Sequence, residues 1–158
     1  MKNRNSKVKA YIVSILIAVG VGVVSSFVSS GKMGEYEKLV QPPLAPPTWV
    51  FPVVWTILFV LMGISAAIIY RSNDAGKKDA LFIYGTQLIV NFLWTVFYFN
   101  FNARLLAFFW LLFLLVLVIM MNRRFSDISS IAAKLQIPYL LWLIFAAYLN
   151  IATWYLNK

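Results

Sequence analysis

The chain has 158 residues, 62% of them hydrophobic and only 12% charged, with a mean hydropathy of +0.81 and a formal net charge of +9. A water-soluble domain of this length keeps too large a surface-to-volume ratio to hide so much apolar surface, so lipid must be the solvent over most of the chain. The absence of cysteine and histidine excludes disulfides and thiolate chemistry, and removes the commonest general base and metal ligands.

The first apolar segment covers about residues 10–29, behind a basic start (Lys2, Arg4, Lys7, Lys9). Its apolar run is too long for the core of a signal peptide, so a retained helix is expected. Gly20, Gly22, Ser25, Ser26 and Ser29 give this segment small side chains that permit close helix approach, either within one chain or in a homodimer.

Residues 30–48 follow as a long connection. Five of the six prolines stand between positions 42 and 52 (Pro42, Pro43, Pro46, Pro47, Pro52). Fixed φ angles make this a stiff, extended segment that needs few backbone donors. Pro52 is tolerable in the first helical turn, which sets the start of the second span near 48–51. The segment then acts as a lid over the bundle, with Trp55 about one turn below it.

The remaining spans are expected at about 49–70, 80–101, 105–121 and 130–156. Each approaches the roughly 20 residues that cross a ~30 Å hydrocarbon layer. No repeat or second domain is visible, so residues 1–158 read as one all-α, five-helix membrane domain. Ten Lys and Arg flank one side and four the other, which places the N-terminus in the cytoplasm and the C-terminus outside. The basic residues orient helices in this way, and nucleic acid is not an expected partner.

All 5 acids (Glu35, Glu37, Asp74, Asp79, Asp127) fall in connections. Spans without carboxylates argue against an ion-coupled transporter, and the lack of an arginine ladder argues against voltage sensing. What remains are neutral groups. Gln87, Asn91 and Thr95 recur every four residues beside Trp94 and Tyr98, and Trp142, Ala146, Leu149, Asn150 and Thr153 form a face of the fifth span. They serve either as interhelical hydrogen-bonding glue or as a cavity lining. Pro138 should kink or loosen the fifth span, either as a tolerated kink of the sort common in membrane helices or by splaying the helix end to make room for a ligand near Trp142. Trp110 and Trp154 need only the usual interfacial preference of indoles, whereas Trp49, Trp55 and Trp142 lie near the lid or the kink.

Four separated motifs make a set. Tyr36-x-x-Leu39-x-Gln41-Pro42 is followed by Pro46-Pro47-x-Trp49-x-Phe51-x-x-x-Trp55. Further on come Gln87-Leu88-x-x-Asn91-x-x-Trp94 and Pro138-Tyr139-x-x-Trp142-x-x-Phe145-Ala146-x-x-Leu149-Asn150. Over about residues 10–157 the chain resembles the TspO/MBR family, which comprises bacterial tryptophan-rich sensory proteins and the mitochondrial translocator protein. The resemblance implies a five-helix bundle in a bacterial cell membrane, often dimeric, whose pocket is capped by the first loop. It implies a receptor or regulator that binds porphyrins, including protoporphyrin and haem, together with sterols and isoquinoline carboxamides. By resemblance the pocket is lined by Tyr36, Pro46, Trp55, Asn91, Trp94, Thr95, Trp142 and Ala146, and the cavity reading of the residues adds Trp49, Gln87 and Asn150. Some relatives degrade protoporphyrin in light, which would make Trp55 and Trp142 catalytic; facilitated passage of tetrapyrroles or lipids is a further alternative.

The chain departs from the family pattern at Leu44, where many relatives carry tryptophan, and at Gln41, where many carry a basic residue. Both departures bear on ligand preference. The spacing Leu149-x5-Tyr155-x2-Lys158 fits a proposed cholesterol pattern that arises readily by chance. Without histidine or cysteine a haem iron has no usual strong axial ligand, so the porphyrin is expected as a stacked ligand, no cofactor is required, and metal-free protoporphyrin should bind about as well as haem.

Overall fold

The computed structural model describes residues 2–158. It is all-helical among those residues, with the order α1 (Lys2–Ser29), a 3-10 turn (Ser30–Lys32), α2 (Met33–Glu37), α3 (Val50–Arg71), α4 (Lys77–Thr95), a π-helical turn (Val96–Asn100), α5 (Arg104–Ile128), α6 (Ser130–Leu135) and α7 (Ile137–Leu156). Among the described residues five helical stretches are long and apolar enough to cross a membrane, the last formed by α6 and α7 together. The chain is therefore a membrane protein.

The spans stand where hydropathy puts them, but several ends differ. α1 already includes Lys2, the first residue described, since nothing in the basic tail breaks a helix. α5 runs on past residue 121 to Ile128, carrying Arg123 and Arg124 beyond the apolar run. It stops at Ser129, which takes an extended conformation (φ −152°, ψ 116°) and caps α6 by accepting from the Ala132 amide. Such a cap is worth typically ~1 kcal/mol. Part of the long first connection is helical, as the 3-10 turn and α2. α3 starts at Val50, which puts Pro52 in its first turn, where a missing N–H costs nothing.

In the fifth span the helical hydrogen bonding is interrupted at one residue just before Pro138, with Gln136 still near helical angles (φ −90°, ψ −11°). α6 ends at Leu135, Gln136 makes the junction, and Pro138 falls in the first turn of α7. Pro138 therefore sits where its ring clashes with no preceding turn of α7.

α1 packs on α3 and α4, α4 on α5, and α5 on α6 and α7, while α3 meets α6. α1 and α3 approach very closely. A methyl group placed on Gly63 would lie 2.5 Å from the Ile15 Cα, and one on Gly22 would lie 2.6 Å from Phe59 Cδ2. Only glycine permits these contacts. The main core lies in the half of the bundle away from the lid, around Met62, Ile69, Leu111, Leu114, Val118, Met121, Phe125 and Leu143, none of them accessible. Ser65 donates to the Ala132 carbonyl at 2.7 Å and ties α3 to α6 there. A second, smaller cluster forms under the lid from Tyr36, Tyr98 and Ala107, with Phe51, Phe97 and Phe99 packed on it. Between the two clusters the bundle is open.

Candidate functional site: a lidded cavity inside the bundle

That opening is a cavity of about 620 Å³, within the usual range for a small-molecule pocket. α3 contributes Phe51, Trp55 and Phe59, α4 contributes Asn91, Trp94 and Thr95, and the π-helical turn after it contributes Tyr98. α7 adds Ala146, Leu149 and Asn150, α1 adds Val19, Gly22, Ser25 and Ser29, and Met33 and Tyr36 close the top. Among the described residues no charged side chain is part of this wall.

The aromatic wall is a connected set. Trp55 lies 6.2 Å from Trp94 and 5.7 Å from Phe59 between ring centroids. Trp94 continues to Tyr98 at 5.7 Å, and Tyr98 to the lid residue Tyr36 at 6.2 Å. Edge and tilted pairs of this kind add about 0.5–1.5 kcal/mol each beyond area burial. They also fix ring orientations around the empty space.

Two hydrogen-bonded groups hold the polar wall. Trp94 Nε1 donates to Asn150 Oδ1 at 3.2 Å, and Asn150 Nδ2 donates to the Arg104 carbonyl at 2.8 Å. Asn91 Nδ2 donates to the Tyr139 hydroxyl at 2.8 Å, which donates to Gln87 Oε1 at 2.7 Å. Gln87 Nε2 points to the Met62 sulfur at 3.8 Å. A thioether only accepts, so it sets the orientation of Gln87, hence of the Tyr139 hydroxyl and of the Asn91 amide. With one Nδ2 hydrogen committed to Tyr139, Asn91 keeps its carbonyl oxygen and its second N–H for the inner end of the cavity.

The lid is fastened at several points. Val40 and Asn157 exchange two hydrogen bonds of 2.9 and 3.0 Å, and Tyr148 donates to the Pro43 carbonyl at 2.7 Å. Gln41 Nε2 donates to the Tyr36 carbonyl at 3.1 Å. Lys32 pairs with Glu35 at 3.1 Å, and Asn102 donates to the other Glu35 oxygen at 3.4 Å. The hydrogen bonds from Lys32 and Asn102 hold the Glu35 carboxyl below its usual pKa. Leu44, at the tip, takes a left-handed φ of 69°.

The site residues read from sequence separate into two groups. Tyr36, Trp55, Asn91, Trp94, Thr95, Ala146 and Asn150 are brought together on the cavity wall. Gln87 is fully buried one layer behind Asn91. Pro46 lies in the lid outside the wall, and Trp49, before the first turn of α3, is 67% exposed. Trp142 stands behind Trp55, edge-on with centroids 6.5 Å apart. It lines a separate shallow groove between α3 and α7 with Val54, Leu58 and Pro138. Tyr98 and Leu149, open in sequence between helix glue and cavity lining, are on the wall, and Phe51, Phe59 and the α1 residues are wall residues that no site reading named. The small residues Gly22, Ser25 and Ser29 turn toward the cavity within one chain, whereas Gly20 has open space around it.

Five helices around an internal, uncharged, lid-covered cavity define a small-molecule-accommodating membrane bundle. The sequence model of the TspO/MBR family matches residues 12–156. The chain is 31% identical to the tryptophan-rich protein TspO of Chlorobaculum tepidum, covering 98% of this chain and 99% of that one. It is 33% identical to the tryptophan-rich protein TspO of Archaeoglobus fulgidus (92% and 95% covered) and 32% identical to the translocator protein of Ovis aries (78% and 75%). The chain belongs to the TspO/MBR family.

Proposed function

We propose that this protein is a membrane receptor or regulator that binds porphyrins and related hydrophobic ligands, sterols and isoquinoline carboxamides among them, in the cavity beneath the lid. The observation that carries this reading is the uncharged, indole-walled cavity of about 620 Å³. A flat macrocycle stacks against Trp55 and Trp94, and apolar burial supplies most of its affinity. With no charge in the wall, the carboxylates of a porphyrin belong at the lid end, near Lys32 and Lys38. Titration of the purified protein with metal-free protoporphyrin, followed in the Soret band, tests this. Trp55→Ala should weaken binding about tenfold, roughly 1.4 kcal/mol, while Phe82→Ala, exposed near the start of α4 at the end of the bundle away from the lid, stays within about twofold. Equal affinity of the Trp55 variant and the wild type would refute the site.

A second reading, light-driven porphyrin breakdown, draws support from the position of Trp142. It touches Trp55, not the cavity, so an electron lost from Trp55 to an excited macrocycle has a second indole to draw on. Illumination under oxygen should bleach protoporphyrin in wild type and more slowly in Trp142→Phe at unchanged affinity. Equal bleaching leaves binding alone.

A further inference from the structure

The wall of the cavity is not continuous. Val23, Ser26, Phe27 and Ser30 line it, and their spacing of i, i+3, i+4 and i+7 makes them a single stripe that runs along α1 into the 3-10 turn at Ser30. The same stripe is open to the outside: Val23 is 62% and Phe27 82% exposed, and Ser26 and Ser30 are exposed as well. Across from it, Pro52 and Thr56, one turn apart on α3, are also both wall residues and exposed. α1 and α3 are locked together lower down by Gly63 on Ile15 and Gly22 on Phe59. Nearer the lid, α1 is held instead by the π-helical turn that follows α4, through the Asn100 side chain on the Val28 carbonyl at 3.2 Å. The two edges therefore leave a slit on the lipid-facing flank, in the half of the membrane nearer the lid.

We propose that this slit is the ligand portal, through which apolar molecules dissolved in the bilayer enter the cavity sideways. The proposal rests on the cavity being the ligand site, and it specifies which molecules reach it: those that partition into lipid. The chemistry of the edges suits that route. The Ser30 hydroxyl donates to the Phe27 carbonyl at 2.9 Å and the Thr56 hydroxyl to the Pro52 carbonyl at 2.7 Å. Just inside, the Ser25 hydroxyl donates to the Val21 carbonyl at 2.8 Å. Each proton is spent within its own helix, so a passing apolar ligand strips no hydrogen bond and meets no charge. The route from water is closed by comparison, because the lid is pinned to α7 through Asn157 and Tyr148 and plugged by the buried Tyr36.

The chain has no cysteine, so a single thiol reports access without interference. Ala146→Cys places it on the cavity wall. The full-length protein in liposomes is treated with N-cyclohexylmaleimide, which partitions into lipid, or with a sulfonated maleimide confined to water but present on both sides. Each rate is divided by that reagent's rate on the denatured protein. The lipid-borne reagent should react at least about tenfold faster, and Thr56→Trp should slow it severalfold without changing the water-borne rate. Val23→Trp plugs the slit from the opposite edge and serves if the first variant does not fold. Equal normalised rates for the two reagents, or lipid-borne labelling that neither plug slows, would overturn the portal. No porphyrin is used, so a chain that admits the lipid-borne reagent through the slit yet fails to bind protoporphyrin would refute the proposed ligand and leave the portal standing.

Discussion

Two glycines of the bundle make opposite predictions. Gly63 faces the Ile15 backbone, and a backbone cannot swing aside, so Gly63→Ala should destabilise the protein by about 1–3 kcal/mol. Gly20 has nothing near it, so Gly20→Ala should be neutral or gain up to ~1 kcal/mol from helix propensity. Thermal or denaturant unfolding in the same detergent compares them, and equal effects would mean that α1 and α3 are not in this contact. Tyr139 is a second test, since its hydroxyl joins Asn91 to Gln87. Tyr139→Phe leaves both amides short of a partner and should cost about 1–3 kcal/mol. The same residues show why the wall was only partly readable. Gln87, Asn91 and Thr95 recur every four positions, but a helix of 3.6 residues per turn drifts by about 40° over each such step. Gln87 thus points back into the core, while Asn91 and Thr95 reach the cavity. Trp142 and Ala146 diverge in the same sense.

Among the elements, α6 and α7 show what a proline sets and what it does not. Pro138 announced a weak point in the turn before it, and the helix is interrupted there, at Gln136, whereas nothing announced Ser129 as the start of α6. Ser129→Ala should therefore cost about 0.5–2 kcal/mol by removing the cap, measurable as a lower unfolding midpoint with ligand contacts untouched. The lid was legible because proline fixes φ, and Pro52 dated the start of α3. Its attachments were not, since Asn157 and Tyr148 are distant in sequence and carry no pattern. Asn157→Ala should speed amide hydrogen exchange in residues 38–47 severalfold and leave the spans protected. Unchanged exchange would mean that other contacts hold the lid. Replacing Pro46 and Pro47 with glycine should weaken protoporphyrin binding by loosening the same segment, with the bundle still folded.

For the whole molecule, composition was enough for the solvent and the number of spans, because each span must satisfy its backbone alone in lipid. It was not enough for α1's part in the cavity. A helix that meets lipid on one side and a hydrophobic pocket on the other is apolar all round, so no periodicity marks its inner face. Helix ends were misjudged where a helix leaves the membrane and continues into water, as α5 does with Arg123 and Arg124. The charge distribution predicts a cytoplasmic N-terminus, and a C-terminal reporter domain active only outside the cytoplasm should confirm that orientation. The central claim is that the space between the two aromatic clusters holds the ligand. Filling it tests this most directly, with saturation binding of protoporphyrin to wild type and to Ala146→Trp in liposomes. The account predicts stoichiometric binding to the wild type and at least about a tenfold loss in the filled variant, with the fold retained. Undiminished binding to a folded Ala146→Trp protein would contradict it.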